Sequence, residues 1–145
     1  MMPAMKRTLL VALLTGCAAT DGLAAQWSEI RSNDSARLSV DTASVKRKGD
    51  QVSLTYRLDF AKPQGDVYTQ VKYTSIVTAV TLRCKPRTLS LGTSELYSGR
   101  GGTGVVVATA IPKPKERAFT AIEKGTSDED LWRHACEKKA AAGKP

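Results

Sequence analysis

Residues 51–60, QVSLTYRLDF, alternate between apolar and polar side chains without an exception. Side chains along a β-strand point to opposite faces in turn, so this pattern is typical of a strand with one face in a core and the other in water. The residues expected to face the core are Val52, Leu54, Tyr56, Leu58 and Phe60. The remainder of the chain is expected to supply strands that pair with this one.

The flanking segments predict those strands. Before residue 51, RLSVD places Leu38 and Val40 on one face, and KRKGD supplies a polar turn. Residues 68–84 are rich in Thr, Val and Tyr, but their apolar positions change from odd to even numbers, so we expect a bulge or bend between Ser75 and Ala79. TLSLG continues the alternation, and LYSGRGGTGVVVATAI predicts two strands joined by a glycine-rich turn.

A helix is predicted after the strands, in residues 125–139, GTSDEDLWRHACEKK. Thr126 with Glu129, or Ser127 with Asp130, has the spacing of a capping box, and the acidic residues suit the positive end of the helix dipole. Helical spacing places four residues in one stripe that is expected to pack on the sheet: Leu131, Trp132, Ala135 and Cys136.

The predicted fold class is therefore α+β and mainly β. With a short first strand at residues 27–30, we count about six strands, and their short connections favour an antiparallel sheet with one buried and one wet face. The C-terminal helix is expected to pack on that sheet.

The N-terminal residues have the features of an export signal. Lys6 and Arg7 precede a short apolar run that is too short to span a bilayer. Two cleavage sites remain open: residues 1–25 form an ordinary signal peptide, or residues 1–16 form a lipoprotein signal that ends before Cys17, the residue to be lipidated. We expect an extracytoplasmic protein, either periplasmic or secreted, or an outer-membrane lipoprotein. The domain then spans residues 26–137, followed by a flexible basic tail at residues 138–145.

The three cysteines predict a disulfide. Cys17 is either removed or lipidated, so Cys84 and Cys136 remain as the only pair in the exported domain. An oxidising compartment permits a bond between them, which would fasten the helix to the sheet. The alternative is two unpaired buried thiols.

The chain is basic, with a net charge of +8, which favours anionic partners such as sulfated glycans, lipopolysaccharide or acidic lipid headgroups. Two basic clusters in predicted loops are candidates for binding a polyanion or a protein partner. They are Lys46, Arg47 and Lys48 in the first cluster, and Lys113, Lys115 and Arg117 in the second. The clusters form one site only if the two loops converge in space, and otherwise they simply keep the surface soluble.

The sequence contains no arrangement typical of a catalytic or metal site. His134 is the only histidine and is expected to face solvent, and no cofactor is predicted. GRGGTG lacks the lysine and hydroxyl pair of a nucleotide-binding loop. Few aromatic residues are available to stack on bases, so a nucleic-acid partner is not expected. These observations favour a binding domain over an enzyme.

The order of several motifs resembles the surface-adhesin protein E family, small exported domains of Gram-negative bacteria. The motifs are Trp27, LSVDTASVKRKGDQVSLTYRLDF, Cys84 at the end of a long strand, LYSGRGGTGVV and GTSDEDLWRHAC. The resemblance implies an antiparallel sheet with a helix and a disulfide, homodimer formation in some members, and adhesion to host matrix proteins. The alternative function is a periplasmic structural or envelope-assembly factor that acts by protein–protein contact, adding a partner strand to an exposed sheet edge.

Overall fold

The chain folds into an antiparallel sheet that carries one short helix. The computed structural model describes residues 24–65 and 70–137. The strands are β1 (Trp27–Ser32), β2 (Ala36–Lys48), β3 (Gln51–Gly65), β4 (Lys72–Arg83), β5 (Thr88–Tyr97), β6 (Val106–Ala110) and β7 (Thr120–Ala121). A 3₁₀ helix, Pro114–Arg117, precedes β7, and α1 (Ser127–Trp132) continues as a π-helical turn, Arg133–Glu137. The signal segment, Cys17 and the basic tail lie outside the described residues.

The sheet is a meander in which the order β1-β2-β3-β4-β5-β6 follows the chain. Each neighbouring pair is antiparallel, and the two-residue β7 pairs with the start of β5. The predicted fold class is therefore confirmed, with β7 as an addition to the expected set of about six strands.

The core lies between one face of the sheet and α1. Val52 pairs with Leu82 and Leu54 pairs with Val80, so the predicted apolar side of β3 continues across β4. Leu131 and Ala135 of the helical segment are fully buried against this side. The other buried apolar residues are Leu38, Val40 and Leu89.

The helix is held to the sheet by a disulfide and by polar contacts. Cys84 is bonded to Cys136, with the Cα atoms 5.6 Å apart, which confirms the predicted pair. Trp132 Nε1 donates a hydrogen bond to the Arg83 carbonyl over 3.2 Å. Of the two predicted N-terminal caps, the one at Thr126 is present: its hydroxyl accepts a hydrogen bond from the backbone N–H of Glu129.

His134 is half-buried and does not face solvent as predicted. It lies in the π-helical turn at Arg133–Glu137, where the helical segment is wider than a regular α-helix. No helix among residues 24–65 and 70–137 is long and apolar enough to cross a membrane.

The change of apolar parity along β4 has a cause outside β4. A register shift does fall at the expected place, between Thr78 and Val80, but Thr78 pairs with Ser94 and Val80 pairs with Leu91, so the extra residue belongs to β5. The pairing of β4 with β3 is unbroken from Arg83 to Ser75. Two contacts from outside β4 cover its odd-numbered apolar residues: the glycine-rich turn lies close to Val77, and the Phe60 ring contacts the Tyr73 ring with centroids 6.0 Å apart.

Candidate functional site

The face of the sheet opposite α1 carries an open groove of about 740 Å³. Its floor comes from β3 and β4, and its walls come from the second half of β2, from β5 and from the segment that follows β6. The lining combines apolar side chains with six hydroxyl-bearing ones: Ser44, Ser53, Thr55, Thr81, Ser90 and Thr93. Ser53 and Thr81 lie side by side on neighbouring strands, with their hydroxyl oxygens 3.2 Å apart. The groove therefore offers many hydrogen-bonding groups.

One wall of the groove is formed by a large bulge in β2. Asp41 pairs with Thr55 whereas Lys46 pairs with Ser53, so residues 42–45 stand opposite the single residue Leu54 and β2 carries three extra residues. The Ser44 hydroxyl accepts a hydrogen bond from the Thr55 N–H at 2.8 Å, which replaces part of the missing strand pairing. The Asp41 carboxylate is held by the backbone N–H groups of Gln26 and Ala43. This bulge forms one edge of the groove and shifts the pairing register of the β2 residues that follow it.

Two of the predicted cationic residues, Lys46 and Arg117, line this groove. Lys46 lies on β2 and Arg117 ends the 3₁₀ helix, so the two clusters converge through one residue each. The position of Arg117 is set locally, since Ser90 donates a hydrogen bond to its carbonyl at 2.6 Å and its Nε donates to the Pro112 carbonyl at 3.1 Å.

The other predicted residues lie elsewhere. Arg47 pairs with the core residue Val52 and points to the helix side, where it donates to the Ala135 carbonyl over 2.6 Å. Lys48 lines a separate depression at the end of the sheet. Lys113 and Lys115 are exposed and are absent from the groove lining.

Both clusters were expected in loops, and that expectation was wrong for the first cluster, whereas the second lies in the connection between β6 and β7. Residues 46–48 are the last residues of β2, so strand alternation separates Arg47 from its two neighbours. Lys115 and Arg117 lie in the 3₁₀ helix, and Lys113 directly precedes it.

A second cationic group was missed by the sequence reasoning. Lys48, Arg83 and Lys85 line a cavity of about 450 Å³ together with Asp50 and Gln51. The guanidinium of Arg83 lies 3.7 Å from the centre of the Phe119 ring, a cation–π contact that fixes its position. The sequence does hold a signal for this group. The turns KGD and CKPR lie at the start of β3 and at the end of β4, so pairing of these two strands brings the turns together.

The glycine-rich turn of residues 98–105 is attached to the sheet by a buried ion pair. Arg57 Nε and an Asp59 carboxylate oxygen are 2.7 Å apart, with side-chain exposures of 14% and 13%. The same carboxylate accepts a hydrogen bond from the Gly101 N–H, and Arg57 donates to the Gly101 carbonyl at 3.3 Å. Gly101 has φ +73°, which favours glycine, so the predicted hairpin turn is confirmed. This network explains why the sequence needs polar residues at 57 and 59.

The shifted pKa values belong to groups outside the groove. Burial raises the pKa of Tyr56, which lies on the core side of β3, and burial also raises the pKa of Asp128 in α1. Within the part of the chain that the structure describes, no group of three or more His, Cys, Asp or Glu residues is placed to hold a metal ion.

The meander and its disulfide-held helix define a class of small, disulfide-stabilised antiparallel sheet domains. The chain belongs to the surface-adhesin protein E family, whose sequence model matches residues 27–137. Membership implies an adhesin-like protein that is surface-exposed or extracytoplasmic. The family resemblance noted in the sequence is thereby confirmed.

Solved structures share this fold. The crystal structure of protein E from non-typeable Haemophilus influenzae is similar with a TM-score of 0.57 at 15% identity, covering 80% of this chain and 78% of that one. A second crystal form of Haemophilus influenzae protein E gives 0.55 at 18% identity, covering 74% and 83%. At these identities the likeness concerns the fold alone. No curated protein sequence matches the chain significantly.

Proposed function

We propose that this protein is a non-enzymatic, extracytoplasmic binding domain of the adhesin type, and that its hydroxyl-lined groove contacts a polyanion or an acidic part of an extracellular protein. The observation that supports the proposal is the convergence of Lys46 and Arg117, from distant parts of the chain, on one open groove. Family membership supports the adhesin-like role.

The lining favours a ligand that carries both charges and hydrogen-bonding groups. Lys46 and Arg117 attract sulfate or carboxylate groups, and Arg binds such planar or tetrahedral anions through several N–H donors at once. The serine and threonine hydroxyls between them donate and accept hydrogen bonds along the floor. The one carboxylate of the lining, Asp41, already accepts two backbone hydrogen bonds, which leaves it less able to repel a bound anion.

The groove is tested by a matched pair of double variants. Lys46→Gln with Arg117→Gln removes both groove cations, whereas Lys113→Gln with Lys115→Gln removes the same charge from outside the groove. Exposed charge contacts contribute about 0.2–1 kcal/mol each, so the groove variant is expected to bind a sulfated glycan such as heparin about tenfold more weakly. Its affinity is also expected to depend less on salt, because the variant has fewer charge contacts with the glycan for salt to screen.

The control variant is expected to retain most of the affinity. Equal losses in both variants would mean that net charge alone drives binding, and an unchanged affinity in the groove variant would remove the groove from the site. Circular dichroism and thermal unfolding of both variants check that the fold is intact.

The edge strand β6 favours the second candidate function, a structural or assembly role through strand addition. Residues 102–112 contain no charged side chain, and β6 pairs only with β5 among the described strands. Val105 and Ile111, on either side of β6, are 68% and 67% exposed. Natural edge strands usually carry charges or prolines that block pairing, so an uncharged edge suits an extended segment of a partner protein.

Strand addition is tested with Thr109→Pro, which removes a backbone donor from β6. Loss of a salt-insensitive complex purified from the cell envelope would support the assembly role, provided that Thr109→Ala keeps the complex. A complex that survives the proline would exclude β6 as its docking edge.

The location and the anchor are tested together on intact cells. We propose export through the signal of residues 1–25, or through the lipoprotein signal of residues 1–16 with lipidation of Cys17. Protease cleavage on intact cells, with a periplasmic protein as control, is expected for a surface adhesin, and a lipid-sized mass increment on Cys17 distinguishes the anchored form. Protection until the outer membrane is opened would place the protein in the periplasm and favour the assembly role.

A further inference from the structure

A basic surface lies at the end of the sheet where the turn between β2 and β3 meets the turn between β4 and β5. Gln51 pairs with Arg83, so these two turns lie side by side. Lys48, Arg83 and Lys85, which we call the basic end, surround a cavity of about 450 Å³. Asp50 is the one carboxylate in its lining. The side chains of Lys48 and Lys85 are exposed.

The neighbouring charged groups leave the basic end positive. Arg87 is partly neutralised by Glu129, 3.5 Å away, and its guanidinium lies 3.9 Å from the centre of the Trp132 ring. Arg47 is engaged by the Ala135 carbonyl. Glu137 follows Cys136, the residue bonded to Cys84, and contributes one further negative charge near this surface.

Both ends of the domain lead toward the same surface. The backbone N–H of Thr42 donates to the Gln26 carbonyl. The start of β1 therefore lies beside the part of β2 that runs on toward Lys48. At the other terminus, the disulfide places Cys136 against Cys84, the residue before Lys85.

We propose that the basic end docks on the anionic surface of a phospholipid bilayer, with Lys48 and Lys85 contacting headgroup phosphates. A bilayer presents many phosphates in one plane, which suits cations gathered at one end of the molecule more than a single small anion does. The basic end adjoins the groove on the same face of the sheet, because Lys48 follows Lys46 by two residues on β2 and Arg83 follows Thr81 by two residues on β4. The two sites share no lining residue, so variants at each site test them separately.

Vesicle sedimentation with the exported domain, residues 26–145, tests this docking. The vesicles contain phosphatidylcholine alone or phosphatidylcholine with phosphatidylglycerol. The domain is expected to bind only the anionic vesicles, and Lys48→Gln with Lys85→Gln is expected to lower the partition coefficient about 25-fold, since each cation near an anionic surface contributes about fivefold. Lys62→Gln with Lys72→Gln, which removes the same charge from the opposite end of the sheet, is expected to have a much smaller effect.

Three outcomes would overturn the proposal. The first is that the domain binds neither kind of vesicle, and the second is that both charge variants lose vesicle binding equally. The third is that Lys48→Gln with Lys85→Gln weakens heparin binding and leaves vesicle binding unchanged. The last outcome would make the basic end part of a glycan site. The variant Lys46→Gln with Arg117→Gln is expected to keep vesicle binding, so failure of the glycan groove and failure of the membrane surface are distinguishable.

Discussion

Removing the disulfide tests how the helix is held on the sheet. Cys84 and Cys136 are 52 residues apart, and in the chain-entropy model a loop of this length constrains the unfolded state by about 4 kcal/mol. Against a total stability of about 5–15 kcal/mol for a small domain, that is a large fraction. The double variant Cys84→Ser with Cys136→Ser is therefore expected to lower the free energy of unfolding by about 4 kcal/mol and the melting temperature by roughly 15 °C.

The same variant is expected to remain folded, because Leu131 and Ala135 stay buried and Trp132 still donates to the Arg83 carbonyl. Urea unfolding of the oxidised protein, the reduced protein and the variant measures the difference. Reducing agent is expected to destabilise the parent protein and to leave the variant unchanged. A loss below about 1 kcal/mol, or a variant that responds to reducing agent, would refute the reasoning.

Three further changes probe the core, the turn and the buried tyrosine. Leu131→Ala leaves a cavity between α1 and the sheet and is expected to cost about 2–5 kcal/mol in urea unfolding; a cost below about 1 kcal/mol would contradict the packing. Asp59→Asn leaves Arg57 without its anion and is expected to cost about 2–3 kcal/mol and to speed amide exchange at Gly101, whereas unchanged exchange would mean that the ion pair does not hold the turn. Burial raises the pKa of Tyr56, so the folded state keeps its proton where the unfolded state ionises, and stability is expected to fall as the pH rises above about 10. Tyr56→Phe is expected to reduce that fall, and an identical pH dependence would show that Tyr56 does not contribute to it.

Local patterns were sufficient to predict β3, the glycine-rich hairpin and the start of the helix, but not β7 or the end of β2. The alternation of residues 51–60 identified β3 and its buried side, because burial of one face imposes a period of two on the sequence. Cysteine parity predicted the disulfide because the expected removal or lipidation of Cys17 leaves Cys84 and Cys136 as one pair, and these two are bonded. The glycines of the turn were interpretable because their positive φ angles depend on the local backbone.

The groove depended on pairings that the sequence does not reveal. The bulge at residues 42–45 extends β2 to Lys48 and determines that Lys46 faces the groove while Arg47 faces the helix. Arg117 reaches the same groove because Ser90 holds its backbone to β5, a contact between residues far apart in the chain. Both effects arise from long-range contacts, so the basic clusters in the sequence could not show which of their residues line the groove.

The groove opposite the helix is proposed to bind the anionic ligand. The most direct measurement is a titration of the isotope-labelled domain with a heparin oligosaccharide, followed by amide chemical shifts. We expect the largest changes at Lys46, Ser53, Thr81 and Ser90, across neighbouring strands of one face. Changes concentrated at β6 or at Lys48 and Lys85, with the groove amides unmoved, would contradict the account.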